Sequence, residues 1–361
     1  MSTHYSCFIL VGPENKDRIA DSVAGLAPRL DYRLVAEQLD ATVVECAPPP
    51  TAFRGHKVSR VLRSLAGNFR AALSMIRQIP SDGIVYSTGE TWGLPMALIG
   101  AFLHRRRFVH AVYVHRVFSP AWLRFLRITH HWLAVDGWIC VTQRQAQQLR
   151  QTIDPARSPA VAISQGVDTT FFDPGKASSS DMPPFILSVG AEMRNYELLL
   201  EAVRHLDQHV VIKASSAWMA AGRGELTAIP ANVQVIAQRL SYAELRDLYV
   251  NAALVVTPVV ETLQAAGITT ILEAMAMGKC IIATRSSGLP DILVHDQTGV
   301  IVEPDVEALA EAISMLMASP QQRAALGYAA QQAVSTSTSV VEHARQVADF
   351  LHSLQGRSSH G

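Results

Sequence analysis

The sequence has few of the features that mark secreted, membrane-spanning or nucleic-acid-binding proteins. Its 361 residues include only four cysteines, and none of them has the spacing of a metal or redox motif. They are Cys7, Cys46, Cys140 and Cys280. Each lies in an apolar stretch, so we expect plain burial and a reducing, cytoplasmic compartment. The first apolar run ends at a Gly-Pro turn without a basic leader, and no run reaches the roughly 18 uncharged apolar residues of a spanning helix.

Net charge is also absent. The chain has 31 Lys and Arg against 31 Asp and Glu, a balance that argues against a dedicated nucleic-acid binder. The balance conceals a division, because residues 1–173 hold 19 basic and 13 acidic side chains while residues 174–361 hold 12 and 18. The two parts therefore carry +6 and −6. With 49% hydrophobic residues, this division predicts two globular domains with different partners.

Short apolar runs alternate with helix-period segments in the first part of the chain, residues 1–173. Strands are predicted at 7–11, 42–46, 83–87, 108–114 and 137–141. Apolar residues three or four apart from Val58 to Ile76 predict one helix, and residues 94–104 predict another. Strands that alternate with helices predict a parallel sheet covered on both faces.

Residues 174–184 are rich in Pro, Ser and Gly, which is the composition of a linker. The alternation restarts in a second domain, 185–337, and a final helix at about 338–356 can pack back on the first domain. Strands are predicted at 185–189, 210–214, 233–236, 254–258 and 280–284, with helices at 196–206, 242–250 and 269–277. The predicted fold class is α/β with two doubly wound Rossmann-like domains, and ligands are expected in an interdomain cleft.

The most informative stretch runs from residue 261 to residue 278. It reads as a loop, a helix start at Gly267, then Thr269 and Thr270, with Glu273 about one turn further on. Backbone N–H groups at a helix start, together with two hydroxyls, favour phosphate binding. A carboxylate one turn on can accept hydrogen bonds from a ribose diol. The alternative is that the threonines cap a buried helix and Glu273 is a solvated first-turn acid.

Residues 267–293 resemble the retaining family 4 glycosyltransferases, also called glycosyl transferases group 1. Residues 164–173, 186–190 and 297–305 match further motifs of that family. The resemblance is strong from 164 to about 313 and covers the first half only in outline. It implies the GT-B fold, with a nucleotide-diphosphate sugar as co-substrate in the second domain and no separate cofactor. The motifs do not identify the acceptor.

The resemblance also implies roles for single residues around the predicted helix start. Glu273 would hold the ribose hydroxyls of the donor. The backbone amides of Ile268, Thr269 and Thr270, which follow Gly267, would hold its diphosphate.

Arg194, shortly after Gly190, is implied as the diphosphate cation. A guanidinium pairs with phosphate through two parallel hydrogen bonds, and its charge stabilises the departing nucleotide. The alternative is a solvated surface arginine. The family often has Arg directly after this glycine and Lys soon afterwards, but Ala191 follows here and no Lys is near in the sequence. Arg194 is therefore expected to carry the phosphate charge with less help.

A second departure concerns the family's usual pair of glutamates separated by seven residues. Ala265 stands where the first of them is expected, and its methyl group cannot bind a sugar hydroxyl. Glu261 is the nearest acid upstream of Glu273, and we assign it to the donor sugar.

Three residues of the first half are candidates for the reacting site. His115 follows the predicted strand 108–114 and is similar to the family's histidine near the reacting sugar, where it would bind donor or acceptor hydroxyls or transfer a proton. Glu90, after another strand, is an acceptor-side candidate. Gly12 closes the first strand and would let the backbone approach the donor. The alternative for His115 is an ordinary loop histidine.

The family's retaining chemistry requires no carboxylate nucleophile, because the leaving diphosphate is itself the base for the incoming hydroxyl. No Asp-x-Asp motif lies near the donor elements, so we predict no metal. The expected reaction moves a hexose-type sugar, with UDP favoured as the nucleotide, to an acceptor in polysaccharide, glycolipid or glycoconjugate synthesis.

The segment 120–133 mixes aromatic and basic side chains, and a basic run at 104–107 precedes it. Its members are Trp122, Phe125, Leu126 and Trp132, with Arg124, Arg127, His130 and His131. Such a segment suits an interfacial helix that lies on anionic lipid. The protein would then bind the membrane peripherally, and its acceptor would be lipid-linked. The alternative is a core helix with a basic outer edge.

Two other functions fit parts of the pattern. A sugar-nucleotide epimerase or a glycoside phosphorylase can share this fold, although a phosphorylase needs a second phosphate site and no extra basic cluster stands out. A catalytically weak, transferase-like partner subunit is favoured by Ala265 and opposed by Gly267, Glu273 and Arg194.

Overall fold

The computed structural model describes residues 6–12, 15–46, 57–80, 83–102, 108–115, 120–129, 134–180, 183–214 and 229–358. They form two six-stranded parallel sheets with helices packed against them. The chain divides into two compact units. The N-terminal unit comprises Met1–Ala20, Leu30–Ser164 and His343–Gly361, and the C-terminal unit comprises Asp21–Arg29 and Gln165–Glu342.

The sheet of the N-terminal unit has the order β2-β1-β3-β4-β5-β6. Its strands are β1 (Cys7–Val11), β2 (Thr42–Glu45), β3 (Ile84–Ser87), β4 (Val109–Val114), β5 (Gly137–Cys140) and β6 (Ala160–Ala162). Its helices are α1 (Lys16–Val23), α2 (Asp31–Leu39), α3 (Lys57–Ile76), α4 (Glu90–Phe102), α5 (Pro120–Thr129) and α6 (Gln143–Arg150), joined by α12 (Val340–Ser358) from the end of the chain. Every residue of β3, β4 and β5 is buried, as expected for central parallel strands between helix layers.

The sheet of the C-terminal unit has the order β12-β11-β10-β7-β8-β9. Its strands are β7 (Phe185–Val189), β8 (Val210–Lys213), β9 (Val233–Ile236), β10 (Ala252–Thr257), β11 (Ile281–Thr284) and β12 (Val300–Val302). Its helices are α7 (Tyr196–Val203), α8 (Tyr242–Asn251), α9 (Ile268–Ala276), α10 (Val306–Ala318) and α11 (Pro320–Ser337). The strands β10 and β7 are neighbours at the centre, so the loops that follow them meet at one edge.

The predicted fold class, two doubly wound α/β domains, is confirmed. The predicted strands and helices are present with shifts of a few residues at their ends, and β7 and β9 have the predicted bounds. Elements that were not predicted include the three-residue strands β6 and β12 and the helices α1, α6, α10 and α11. Strands this short offer too few residues for a periodic pattern.

The unit boundaries differ in detail from those expected from the sequence. Residues 165–173, assigned above to the first domain, group with the C-terminal unit, and so do residues 21–29. Within that unit, Arg29 forms a salt bridge of 2.8 Å with Asp168. The expected linker 174–184 begins with a short 3₁₀ turn, Pro174–Lys176, and is hydrogen-bonded to side chains of α8 where it is described.

The last helix, α12, packs within the N-terminal unit. A Cβ atom at Gly137 on β5 would lie 2.6 Å from Cδ1 of Leu354, so a larger residue there would have to displace this side chain. All four cysteines are buried, as predicted, and none forms a disulfide. Among the helices of the described ranges, none has the length and apolarity needed to cross a bilayer.

Candidate functional site

In the C-terminal unit, the loops that follow β7 and β10 are tied together. The amide of Asn195 donates to the carbonyl of Pro258 at 2.7 Å, and the amide of Val260 donates to the carbonyl of Met193 at 3.1 Å. Met193 has a positive φ of 55°, an uncommon conformation for a residue with a side chain. The two loops therefore form one braced structure at the carboxyl edge of the sheet, where parallel sheets bind ligands.

The Arg194 side chain lies across the first of these loops. Its Nε donates to the carbonyl of Val189 at 3.2 Å, its Nη1 to the carbonyl of Glu192 at 2.9 Å, and its Nη2 to Oγ1 of Thr270 at 3.0 Å. Gly190 has φ of +101°, and a Cβ there would lie 2.7 Å from Nη2 of Arg194. Burial lowers the pKa of the guanidinium. Arg194 is thus a positioned, partly buried cation, with N–H groups left for a ligand in the described part of the chain.

Gly267 begins helix α9 in the left-handed conformation, with φ of +74°. A Cβ at this position would also lie 2.8 Å from Cγ2 of Thr257, so both backbone and space demand glycine. The first amides of a helix have no acceptor within it, and they carry the positive end of its dipole. In α9 these are the amides of Ile268, Thr269 and Thr270.

The two threonines of this turn have different environments. Thr269 is exposed, whereas Thr270 is buried. The Thr270 hydroxyl accepts from Arg194 and donates to the carbonyl of Val189 at 3.3 Å. It therefore braces the site from inside, and the threonine pair expected to offer two hydroxyls to a ligand leaves only Thr269 exposed.

Glu273 lies on the same helix and is 7% exposed. The hydroxyl of Tyr249, on α8, donates a hydrogen bond of 2.8 Å to its Oε2. Burial raises the pKa of Glu273 to about 7, and this hydrogen bond lowers it. Because its side chain is buried, Glu273 is not a solvated first-turn acid. A buried carboxyl is unfavourable for stability, and strongly shifted pKa values concentrate at functional sites.

Glu261 takes a different position. It is exposed, and its carboxylate accepts from the backbone amide of Ser287 at 3.2 Å through Oε2 and at 3.4 Å through Oε1. The neighbouring loop is held by a bond of 3.1 Å from the amide of Ala266 to the carbonyl of Gly288. In the described part of the chain, no hydrogen bond joins Glu261 to Arg194 or Glu273.

In the N-terminal unit, His115 follows β4 at the carboxyl edge of its sheet. Its Nε2 is 2.8 Å from the carbonyl of Thr88, which requires the proton on Nε2 and leaves Nδ1 as an acceptor in the neutral ring. The amide of His115 donates to Oε2 of Glu90 at 3.2 Å. The structure thus brings together the two residues that the sequence analysis assigned to the acceptor side.

Gly12 lies under the ring of Trp92. A Cβ at Gly12 would be 2.6 Å from Cη2 of Trp92, and a Cβ at Gly89 would be 3.2 Å from its Nε1. The space that Gly12 leaves open is therefore filled by an aromatic ring of the same unit. Trp92 was not singled out from the sequence, because the helix α4 that carries it is apolar all round.

Two residues of the C-terminal site were also missed. Tyr249 lies in a helix pattern without any motif. Lys213 is at the end of β8, and its carbonyl accepts from the amide of Gly190 at 3.0 Å, so a lysine does lie near this glycine in space. Burial lowers the pKa of Lys213. The signal that could have found it is its place at the end of a neighbouring strand, beyond the reach of a local motif.

The described residues contain no group of three or more His, Cys, Asp or Glu side chains arranged to hold a metal ion. The basic run 104–107 and residues 130–133 of the aromatic and basic segment lie outside the described residues. Within α5, Trp122 and Ile128 are 41% and 69% exposed, and Arg124 and Arg127 are exposed as well.

Comparison with known proteins finds similarity within the C-terminal unit. Residues 170–333 match the family model of glycosyl transferases group 1. A stretch of 59 residues is 41% identical to the GDP-mannose-dependent alpha-(1-6)-phosphatidylinositol monomannoside mannosyltransferase of Mycolicibacterium smegmatis. This stretch is 16% of the chain and spans only 15% of that relative's length.

Solved structures are similar over nearly the whole chain. A glycosyltransferase from Rickettsia africae has a TM-score of 0.68 at 17% identity, with 97% of this chain and 98% of that chain covered. Sucrose-phosphate synthase from Thermosynechococcus elongatus has a TM-score of 0.70 at 16% identity, with 98% of this chain and 99% of that chain covered. Anabaena HepE in complex with UDP and glucose has a TM-score of 0.66 at 16% identity, with 97% of this chain and 100% of that chain covered.

At these identities, the structural likeness shows the fold alone, which is that of the GT-B glycosyltransferases. The family match covers the loops around Gly190, Arg194 and Gly267 and the buried Glu273. Residues 170–333 are therefore similar to glycosyl transferases group 1, in a chain that has the GT-B fold.

Proposed function

We propose that the protein is a retaining glycosyltransferase that moves a hexose-type sugar from a nucleotide-diphosphate sugar to a hydroxyl acceptor. The acceptor would belong to polysaccharide, glycolipid or glycoconjugate synthesis. One observation carries the proposal: the half-buried guanidinium of Arg194 and the buried carboxyl of Glu273 flank the start of α9.

These groups fit the two ends of a nucleoside diphosphate. The amides of Ile268 to Thr270 and the Arg194 guanidinium suit the phosphates, because a helix start and a planar cation both favour oxyanions. Glu273 suits the ribose, because a carboxylate accepts hydrogen bonds from both hydroxyls of a diol. Gly190 and Gly267 keep the backbone clear of side chains where the phosphates approach.

In the proposed transfer, the acceptor oxygen bonds to the anomeric carbon on the face from which the diphosphate leaves. The bond between that carbon and the phosphate oxygen breaks, and the acceptor proton passes to the leaving diphosphate. Arg194 stabilises the charge that develops on it. We assign His115 and Glu90 to the acceptor side and Glu261 to the donor sugar. We assign Gly12, at the end of β1, to the donor side, where the backbone would approach the donor.

The proposed donor carries UDP. GDP is the competing nucleotide, because the relative that is 41% identical over 59 residues is a GDP-mannose-dependent enzyme. The experiment is hydrolysis and transfer with UDP-glucose, UDP-galactose, GDP-mannose, ADP-glucose and TDP-glucose, with product configuration read by NMR. We expect release of one nucleoside diphosphate and a product that keeps the donor's anomeric configuration. An inverted product would overturn the retaining assignment.

We propose that the reaction needs no metal. Transfer measured after treatment with EDTA should keep its rate, since Arg194 and the helix start supply the positive potential at the diphosphate. Loss of transfer with EDTA and its return with Mg²⁺ or Mn²⁺ would contradict this.

We further propose a peripheral contact with an anionic membrane surface through α5, with a lipid-linked acceptor and a cytoplasmic site of action. The exposed Trp122 and Ile128 and the basic Arg124 and Arg127 share this short helix. Aromatic and aliphatic side chains with cations on one helix suit a membrane interface.

The second candidate is a transferase-like partner subunit, which Ala265 at the position of the family's first glutamate favours. Such a subunit would neither bind nor hydrolyse any nucleotide sugar of the panel. Binding together with hydrolysis would exclude it.

A further inference from the structure

Tyr249 is fully buried on α8, and its hydroxyl donates to Oε2 of Glu273 at 2.8 Å. A tyrosine hydroxyl taken out of water needs a partner, and a carboxylate is the strongest acceptor that a side chain offers. Because Glu273 is itself 7% exposed, both members of the pair lie inside the C-terminal unit.

The bond fixes one side of the Glu273 carboxyl group. Oε2 is occupied by Tyr249, whereas Oε1 makes no hydrogen bond within the described ranges and is not enclosed. With one oxygen held, the side chain cannot rotate without breaking a buried bond. The bond to Tyr249 therefore restricts the orientation of the whole carboxyl group and leaves the other oxygen able to accept from a ligand.

The same tyrosine contacts the diphosphate end of the site. The Thr270 hydroxyl lies beside the Tyr249 hydroxyl, and Thr270 accepts from Arg194 at 3.0 Å. The charged group that acts on the Tyr249 hydroxyl from outside the pair is Arg194, from the loop after β7. Tyr196 interacts with Arg194, and its own hydroxyl donates to the carbonyl of Gly190 at 2.5 Å. Buried side chains thus run continuously from Glu273 to Arg194.

We propose that Tyr249 is the positioning residue of the nucleotide site, holding Glu273 for the ribose diol through its hydroxyl. That the ligand is a nucleotide rests on the proposed function. That Tyr249 holds Glu273 rests on the buried hydrogen bond between them. Tyr249 does not touch the substrate, so it acts through Glu273.

The bond also affects the ionisation of Glu273. A hydrogen bond donated to a carboxylate favours its charged form, so loss of the tyrosine hydroxyl raises the pKa of Glu273 above its value of about 7. The ionised carboxylate is the better acceptor for ribose hydroxyls. Nucleotide affinity should therefore fall as pH falls through about 7 in the natural protein, and at a higher pH in Tyr249→Phe.

The test is calorimetric titration of the full chain with UDP, and with GDP, between pH 6 and pH 9. Tyr249→Phe should bind about tenfold more weakly at pH 7, the size expected for one hydrogen bond to a charged group, and should recover as pH rises. Tyr242→Phe, on the first turn of the same helix, is the matched control and should behave as the natural protein. The inference is overturned if the affinity of Tyr249→Phe changes with pH over the same range as that of the natural protein, or if the two affinities are equal at every pH.

A second arm needs no ligand and separates this inference from the proposed function. Thermal unfolding of the natural protein and Tyr249→Phe, followed across the same pH range, should show the fall in stability with pH extending to a higher pH in the variant. If neither nucleotide binds the natural protein but this shift occurs, the proposed function fails while the pairing stands. If the two proteins show the same dependence of stability on pH, the Tyr249 hydroxyl does not affect the pKa of Glu273.

Discussion

The buried carboxyl of Glu273 lies in an environment that stability alone would not select. Its pKa is raised from 4.5 to about 7, so between these values the folded protein binds the proton more tightly than the unfolded chain. Stability must then fall as pH rises through this window, by about 3 kcal/mol in total. A group that destabilises the protein at neutral pH is expected where function requires it.

Glu273→Gln tests this at the level of one atom. The amide keeps the size of the side chain and can still accept from Tyr249, but it cannot ionise. We expect Glu273→Gln to unfold at a higher temperature than the natural protein at pH 8 and to match it near pH 4, below the window, while its affinity for nucleoside diphosphates falls. Differential scanning calorimetry at both pH values measures the first effect. A lower unfolding temperature at pH 8 would show that the charge is stabilised in a way that the contacts of Glu273 do not reveal.

Asp168 shows the opposite shift. Burial alone would raise its pKa, but hydrogen bonds from Arg29 and Thr170 outweigh this and lower the pKa to about 2. A depressed pKa contributes stability that is present above about 3.8 and is lost as pH falls through about 2.

Arg29→Met should therefore destabilise the protein by about 3 kcal/mol at pH 7, since it leaves a buried carboxylate without its cation. The difference should shrink as the pH falls toward 2. Urea unfolding at pH 7 and pH 3 measures both. Arg204→Met, in the exposed pair with Glu201, is the control and should change stability far less than Arg29→Met, because exposed ion pairs are screened by solvent.

At the scale of elements, the start of α9 is the feature on which the site depends. Its N-cap is glycine, so no side chain covers the first amides, and the loop after β10 is braced by the loop after β7. The helix start is therefore open to a ligand yet fixed in place.

Gly267→Ala should disturb this start. The new methyl group would meet Cγ2 of Thr257 at 2.8 Å, in addition to the strain of a left-handed conformation. We expect a loss of roughly 2 kcal/mol or more in stability and a weakened affinity for nucleoside diphosphates, measured by chemical unfolding and titration. Gly25→Ala provides the control, since Gly25 has φ of +72° with nothing within 4 Å and should lose only about 1 kcal/mol without any effect on binding. Equal losses in the two variants would mean that contact with Thr257 is unimportant.

Much of the element pattern is readable from the sequence because central parallel strands are continuous apolar runs, as in Phe185–Val189. The candidate residues Arg194, Gly267 and Glu273 were likewise found from local spacing and family resemblance. Tyr249 and Lys213 were not, because each lies on another element, and only the fold brings the Tyr249 hydroxyl to Glu273 and the Lys213 backbone to Gly190. Local patterns carry no record of such tertiary contacts.

At the scale of the whole molecule, the neutral net charge is an average of +6 over residues 1–173 and −6 over residues 174–361. The acidic part contains the proposed site for an anionic ligand, so Arg194 and the start of α9 must act against the charge of their surroundings. The basic part contains α5, on which the membrane proposal rests.

The membrane contact predicts a charge-dependent partition. Reversing Arg124 and Arg127 together to Glu should weaken flotation with vesicles containing phosphatidylserine or phosphatidylglycerol by about tenfold or more, and salt should weaken flotation of the natural protein. Arg144 and Arg157, both exposed in the same unit and reversed together to Glu, are the control for net charge alone. If the natural protein fails to float with anionic vesicles, the aromatic and basic residues of α5 have a structural role only.

The central claim is that the C-terminal unit binds a nucleoside diphosphate between Arg194 and Glu273. Calorimetric titration tests it most directly, with UDP and GDP compared with uridine and guanosine on the natural protein, Arg194→Ala and Glu273→Ala. We predict that the natural protein prefers a diphosphate to its nucleoside, that Arg194→Ala loses this preference, and that Glu273→Ala weakens diphosphate and nucleoside alike. Failure of the natural protein to bind either diphosphate, or natural affinity in both variants, would contradict the account.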